Sequence, residues 1–127
     1  MFEIPQPPRV DMTKRKPLPD LRRVDRRRAE VLRKVFANDL YALIEARCTV
    51  MHLATSARLD YAAVLALTKG EETKRDVTVL ALHRIAEEFL LQIVFRIDDD
   101  REIPFGISTP VEEVFGMGVR PVFVSAG

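Results

Sequence analysis

His52 stands four positions after Cys48, a spacing that suggests a pair of metal ligands. A structural zinc needs four such ligands. The chain offers one cysteine and two histidines, His52 and His83. An ordinary helix-surface histidine is therefore expected, and no metal site. Asp98-Asp99-Asp100 with Glu102 concentrates carboxylates but lacks the loop spacing of a calcium site, so it reads as a charged turn. Ser56, Ser108 and Ser125 have no evident base nearby in the sequence. There is no Gly-rich phosphate loop, no G-x-S-x-G and no Cys–His pairing with an orienting acid. Glu87-Glu88 and Glu112-Glu113 read as solvated helix-face pairs. The residue types point away from an enzyme and imply no cofactor.

The arginines carry a different chemistry. Residues 9–34 hold eleven Lys and Arg against four Asp and Glu, whereas the whole chain has a net charge of only +1. A basic front on an acidic back fits an anionic partner for the front, such as nucleic acid. Arg22, Arg23, Arg26, Arg27 and Arg28 are the densest part of it. Helical spacing predicts a shared face for Arg22, Arg26 and their neighbours Arg23 and Arg27, opposite much of the Val24–Val31–Val35 side, and such a face would track phosphates. The plainer alternative is a solvated helix face that pairs with acidic groups of a partner or of the chain's own C-terminal half.

A third group lies between Thr49 and Gly70. Thr49 is placed to cap a helix over Val50–Ala57, Arg58-Leu59 to turn the chain, and Asp60 to cap a second helix over Tyr61–Thr68. Gly70 follows as a residue that tolerates positive φ. Leu53, Leu59, Val64 and Leu67 are spaced to face one core, with Ala54 where the helices cross closely. Two helices joined by a short turn can set the second into a DNA major groove.

Thr49-Val-Met-His-Leu53-Ala54-Thr-Ser-Ala57-Arg-Leu59-Asp60-Tyr-Ala-Ala-Val64-Leu-Ala-Leu67-Thr-Lys69-Gly70 resembles the Cro/repressor-type, or xenobiotic-response-element-type, helix-turn-helix. The shared pattern is Leu-Ala in the first helix and an aliphatic residue after the turn. A small polar cap follows, then two apolar residues three apart and a basic-Gly ending. The resemblance covers residues 38–90. A helix leading into Leu91-Gln-Ile-Val-Phe further resembles HigA-type antitoxins. It implies a helical bundle, a DNA-binding role and a homodimer. It aims Tyr61, Ala62, Ala63 and Ala66 at DNA. Three features depart from the pattern. Arg58 stands where Gly is usual, so the turn is either looser or holds a non-Gly residue in the left-handed region. The loop from Gly70 to Asp76 is longer. The recognition helix is atypical, with no Arg, Asn or Gln and no Lys before Lys69 to read base edges. Affinity would then come from phosphate contacts by the amide end at Thr49, by Arg58, Lys69, Lys74 and Arg75, and by Lys14–Arg28, with Arg22, Arg26 and Arg27 foremost.

The remaining elements position these groups. Residues 1–19 carry five of the eight prolines and read as an extended basic arm. Residues 20–90 form the helical helix-turn-helix domain, with no Gly or Pro between Asp20 and Lys69. Leu21, Val24, Val31, Val35, Phe36, Leu40 and Ile44 recur at helical intervals. Asp20 or Asp25 is a candidate cap, and a break near Ala37-Asn38-Asp39 is expected because Asn and Asp cap well. Asp76 is expected to cap a helix over Val77–Phe89. Residues 91–127 should hold a strand over Leu91–Ile97 and a turn at Asp98-Asp99-Asp100. A short helix should follow, with Thr109 at its cap and Pro110 first, and then an edge strand over Val119–Val124. This segment is expected to serve dimerisation or partner binding. The fold class is thus mainly α, a helix-turn-helix bundle with a short C-terminal β element.

No signal peptide is evident, and no apolar run approaches the roughly 18 residues of a membrane span. A single cysteine permits no intrachain disulfide and fits a reducing cytoplasm. The expectation is a cytoplasmic, non-catalytic regulator that binds double-stranded DNA as a homodimer. A second expectation, of a different class, is a protein-interaction module on a degenerate helix-turn-helix scaffold. It would be an antiactivator or antitoxin-like protein, holding a toxin or another regulator through Tyr61, Leu65 and Ala66.

Overall fold

The computed structural model describes residues 19–97 and 105–126, with side chains from Asp25 onward. Residues 1–18 of the arm expected over 1–19, the Arg22 and Arg23 side chains and the Asp98–Asp100 turn with Glu102 lie outside the described residues. The elements run α1 (Pro19–Arg47), α2 (Val50–Ala57), α3 (Tyr61–Lys69), α4 (Val79–Glu88), β1 (Leu91–Arg96), α5 (Val111–Gly116) and β2 (Arg120–Ser125). The fold is mainly helical with a two-stranded antiparallel sheet at its C-terminal end.

α1 is a single helix of 29 residues, about 44 Å long. The break expected at Ala37-Asn38-Asp39 is absent, and Asn38 and Asp39 cap nothing. Ala29, Phe36, Ala37, Leu40 and Ile44 form one continuous buried stripe. An interruption at Asn38 would misalign its two halves, so burial outweighs local capping preference. Asp20 and Asp25 both lie inside the helix, and Pro19 is its first residue. Val31, expected on the apolar face, is 60% exposed. It shares the outward ridge with Arg27 and Lys34, four positions before it and three after.

The core gathers around that stripe. Leu53, Ala54, Val64 and Leu67 are buried from α2 and α3, as their spacing predicts, and Leu59 packs against them. Leu82, Ile85 and Ala86 enter from α4. Phe36 lies between Phe123, at 5.3 Å and nearly parallel, and Phe115, at 6.2 Å and tilted. These two rings dock the sheet and α5 onto α1.

α4 is shorter than expected. It starts at Val79 with Thr78 at the cap position, so Asp76 is not its cap. The amides of its first turn find partners in tertiary structure instead. Val79 N–H donates to the Thr109 carbonyl and Leu80 N–H to that of Ile107, both at 2.9 Å. Thr109 likewise does not cap α5. Pro110 holds that place, and Thr109 Oγ1 accepts from Gly106 N–H at 3.0 Å, closing a turn. β1 ends at Arg96, one residue early, and β2 is Arg120–Ser125, one residue later than expected. Pro121 does fall on an edge strand.

Candidate nucleic-acid interface

The two short helices are set by local chemistry. Thr49 Oγ1 accepts from His52 N–H at 3.1 Å and so caps α2. Asp60 Oδ2 accepts from Ala63 N–H at 3.2 Å and caps α3. Between them Arg58 takes φ 60° and ψ 47°, the left-handed region. Its N–H donates to the Thr55 carbonyl at 3.2 Å, and Leu59 N–H donates to Ala54 at 2.8 Å. Of the two alternatives for the departure at Arg58, the turn therefore stays tight and the arginine carries the strain. Gly70 ends α3 at φ 72°. A Cβ there would lie 3.2 Å from Lys34 Cγ and 3.3 Å from Lys34 Cα, so this position needs glycine on two counts.

The expected DNA-facing residues separate into two groups. Tyr61, at 45% exposure, and Ala62 open onto solvent from the first turn of α3. Ala63, Leu65 and Ala66 are half-buried, so Leu65 does not project as an exposed contact residue. Ala63 and Ala66, together with the exposed Ala62, line a groove of about 450 Å³ between α3 and the segment 72–77. Its apolar lining includes Val64, Leu67, Val77 and Ala81, and its charged lining includes Arg58, Asp60, Glu72 and Lys74. Sequence spacing gave no sign of this hollow, because its outer wall is a polar loop.

The cations of this region are solvent-facing. Arg58, Lys69, Lys74 and Arg75 are exposed, as are Arg26 and Arg27 on α1. Among the described residues there are two ion pairs, and of these six cations only Arg75 takes part, at 3.5 Å from Glu113. Lys34 packs its stem against Gly70 and so stands beside Lys69. Arg26 and Arg27 lie about two turns farther up α1, roughly 10 Å from Lys34 along the axis. Arg28, although exposed, lies over Gly118, whose φ of 78° and lack of a side chain make room for it.

Glu112 was expected to be solvated with Glu113. It is instead a junction. Its Oε1 accepts from Arg33 Nη1 at 2.5 Å, and its Oε2 accepts from Thr73 N–H at 3.1 Å and Thr73 Oγ1 at 3.2 Å. One carboxylate thus ties α1, the wall of the groove and α5 together. Arg33 and Glu112 are separated by 79 residues, so no local pattern could have signalled their meeting.

Cys48 and His52 do share a small hollow, with Glu88 also on its lining. Burial, and secondly the Glu88 carboxylate, push the Cys48 thiol above its ordinary pKa. That is the reverse of an activated nucleophile. No group of three potential metal ligands lies together among the described residues. Nor is any of the described helices long and apolar enough to cross a membrane. No protein-family model, curated protein or solved structure matches the chain.

Proposed function

We propose that this chain is a non-catalytic, cytoplasmic transcriptional regulator that binds double-stranded DNA, two copies together, with α2 and α3 acting as a helix-turn-helix. The observation that carries the reading is the set of exposed cations without an ion-pair partner among the described residues. Arg58 sits in the turn, Lys69 at the end of α3 and Lys74 in the following loop. They lie on either side of the open first turn of α3 in sequence and leave their charge available for phosphates. Thr49 and the amides of the first turn of α2 add a helix N-terminus to the same set. Arg26 and Arg27 extend it along α1. Base reading is left to Tyr61 and Ala62, so discrimination would rest mainly on DNA shape and on the spacing of paired copies.

Binding to a labelled duplex at two salt concentrations tests this. Contact with several phosphates predicts a steep fall in affinity as salt rises, with a logarithmic slope of about −0.9 per contact. A salt-independent interaction, or none at low salt, would remove the reading.

A second reading is favoured by the groove beside α3. Small side chains over a buried apolar floor, edged by both signs of charge, suit a polypeptide better than a phosphate backbone. In that reading the chain is an antitoxin-like or antiactivator module holding a toxin or another regulator. Ala66→Arg would fill the groove. Loss of a protein partner with DNA affinity unchanged or raised would favour the second reading over the first.

A further inference from the structure

Among the described residues the sheet has two strands, so each strand has one side that pairs with none of them. The two sides are not equivalent. Phe95 is paired with Pro121, which has no N–H to contribute. In a regular antiparallel ladder a proline fits where its nitrogen faces away from the neighbouring strand. The free side of β2 therefore lacks a donor at its second residue. The same alternation turns the N–H and C=O groups of Leu91, Ile93 and Phe95 toward the free side of β1. None of these groups makes a backbone hydrogen bond beyond β2 among the described residues.

Among the described residues β1 also lacks the sequence devices that protect an exposed edge. There is no Pro, Gly or Lys from Leu91 to Phe95, and no bulge interrupts the register from Leu91↔Ser125 to Arg96↔Arg120. Its outer face continues apolar surface across both strands, with Val94 opposite Val122 and Val124 opposite Gln92, all three valines half-exposed. At its start stands Leu90, 80% exposed and held at φ 59°. A leucine that is both strained and solvated is costly in a lone chain.

We propose that the free side of β1 pairs antiparallel with β1 of a second copy, about a two-fold axis through Ile93, to give a four-stranded sheet β2–β1–β1–β2. The proposal rests on the reading above for the use of a pair, but its geometry is independent of DNA. In this register Ile93 faces the partner's Ile93, and Leu91 faces the partner's Phe95. Gln92 faces the partner's Val94, and Leu90 reaches the stem of the partner's Arg96. The two Arg96 residues stand six positions apart along the strands, about 20 Å, so like charges do not meet. An antiparallel two-fold pairing is self-complementary and closes on itself, as a soluble dimer requires.

The test is sedimentation of the full chain across a concentration series, with amide exchange read in parallel. The expected result is a dimer in which the Ile93 and Phe95 amides become protected as concentration rises. Val94→Lys should raise the dimer dissociation constant about tenfold or more. Val124→Lys, the same change on the same face but on β2, should leave it within about twofold. A lone chain at every concentration would overturn the proposal, as would a dimer indifferent to Val94→Lys or one whose Ile93 amide stays unprotected. Binding of the wild type and of Val94→Lys to the labelled duplex at low salt is measured alongside. If the duplex is bound and the wild type never dimerises, the pairing fails while the DNA reading stands. If dimers form and no duplex is bound, the DNA reading fails alone.

Discussion

Arg33 donates from Nη1 to Glu112 Oε1 at 2.5 Å, with 12% and 23% of the two side chains exposed. Among the described residues the pair is a polar tie between the long N-terminal helix and the C-terminal segment. Its partners are well chosen on the carboxylate side, where Thr73 occupies the other oxygen. On the guanidinium side Nε is buried with no partner. The pair is therefore more important for alignment than for net stability.

Glu112→Ala should lower stability by about 2–4 kcal/mol, because it leaves a mostly buried guanidinium without its counter-charge. Arg33→Met combined with Glu112→Leu should cost clearly less than Glu112→Ala alone, since no charge is stranded. Urea unfolding of the three variants decides it. Equal losses in the single and the double variant would mean that packing, and not charge, sets the cost.

The strained turn gives the opposite sign. Arg58→Gly relieves a left-handed non-glycine residue, and it should raise the unfolding free energy by up to about 1 kcal/mol after glycine's own entropic cost. Gly70→Ala should lower it by about 1–2 kcal/mol, since the new Cβ meets Lys34 and the backbone stays at positive φ. Thermal unfolding of both variants should move in opposite directions.

For DNA binding, Arg58→Gly has a second consequence. If Arg58 meets a phosphate as proposed, its removal should make the salt slope shallower by about 0.9 while the fold becomes firmer. Lys69→Ala should act alike on the slope without the gain in stability. Fluorescence anisotropy at several salt concentrations measures both. An unchanged slope in both variants would remove these residues from the interface.

Cys48 provides a pH test. Its thiol is raised by burial and by Glu88, so the thiolate is scarce at neutral pH. Alkylation should be slower than for a free thiol and should rise with pH, with its midpoint above the ordinary value. Glu88→Gln removes a charge that opposes ionisation, so the midpoint should move down and the rate at a fixed neutral pH should increase. A rate unaffected by Glu88→Gln would mean that access, not ionisation, limits the reaction.

What the sequence made legible was local. Thr49, Asp60 and Gly70 punctuate α2 and α3 through contacts within a few residues, and each is where spacing predicts it. The burial of Leu53, Val64 and Leu67 follows from the same periodicity. Misreadings arose where distant packing prevailed. Asn38 and Asp39 are good caps in isolation, but a continuous stripe from Ala29 to Ile44 overrides them. Asp76 lost its role because the carbonyls of Thr109 and Ile107 serve the first amides of α4. Glu112 looked like a solvated member of an acidic pair because its partners lie 79 and 39 residues away. The groove beside α3 is hidden for the same reason, since its two walls are adjacent only after folding.

Glu112 follows Arg33 by 79 residues and Thr73 by 39, and this separation also orders events during synthesis. When the last residue of α3 has been added, the residue that fastens Thr73 to Arg33 has not yet been made. The first three helices can thus associate early, while the loop beyond Gly70 waits for α5 before it is anchored.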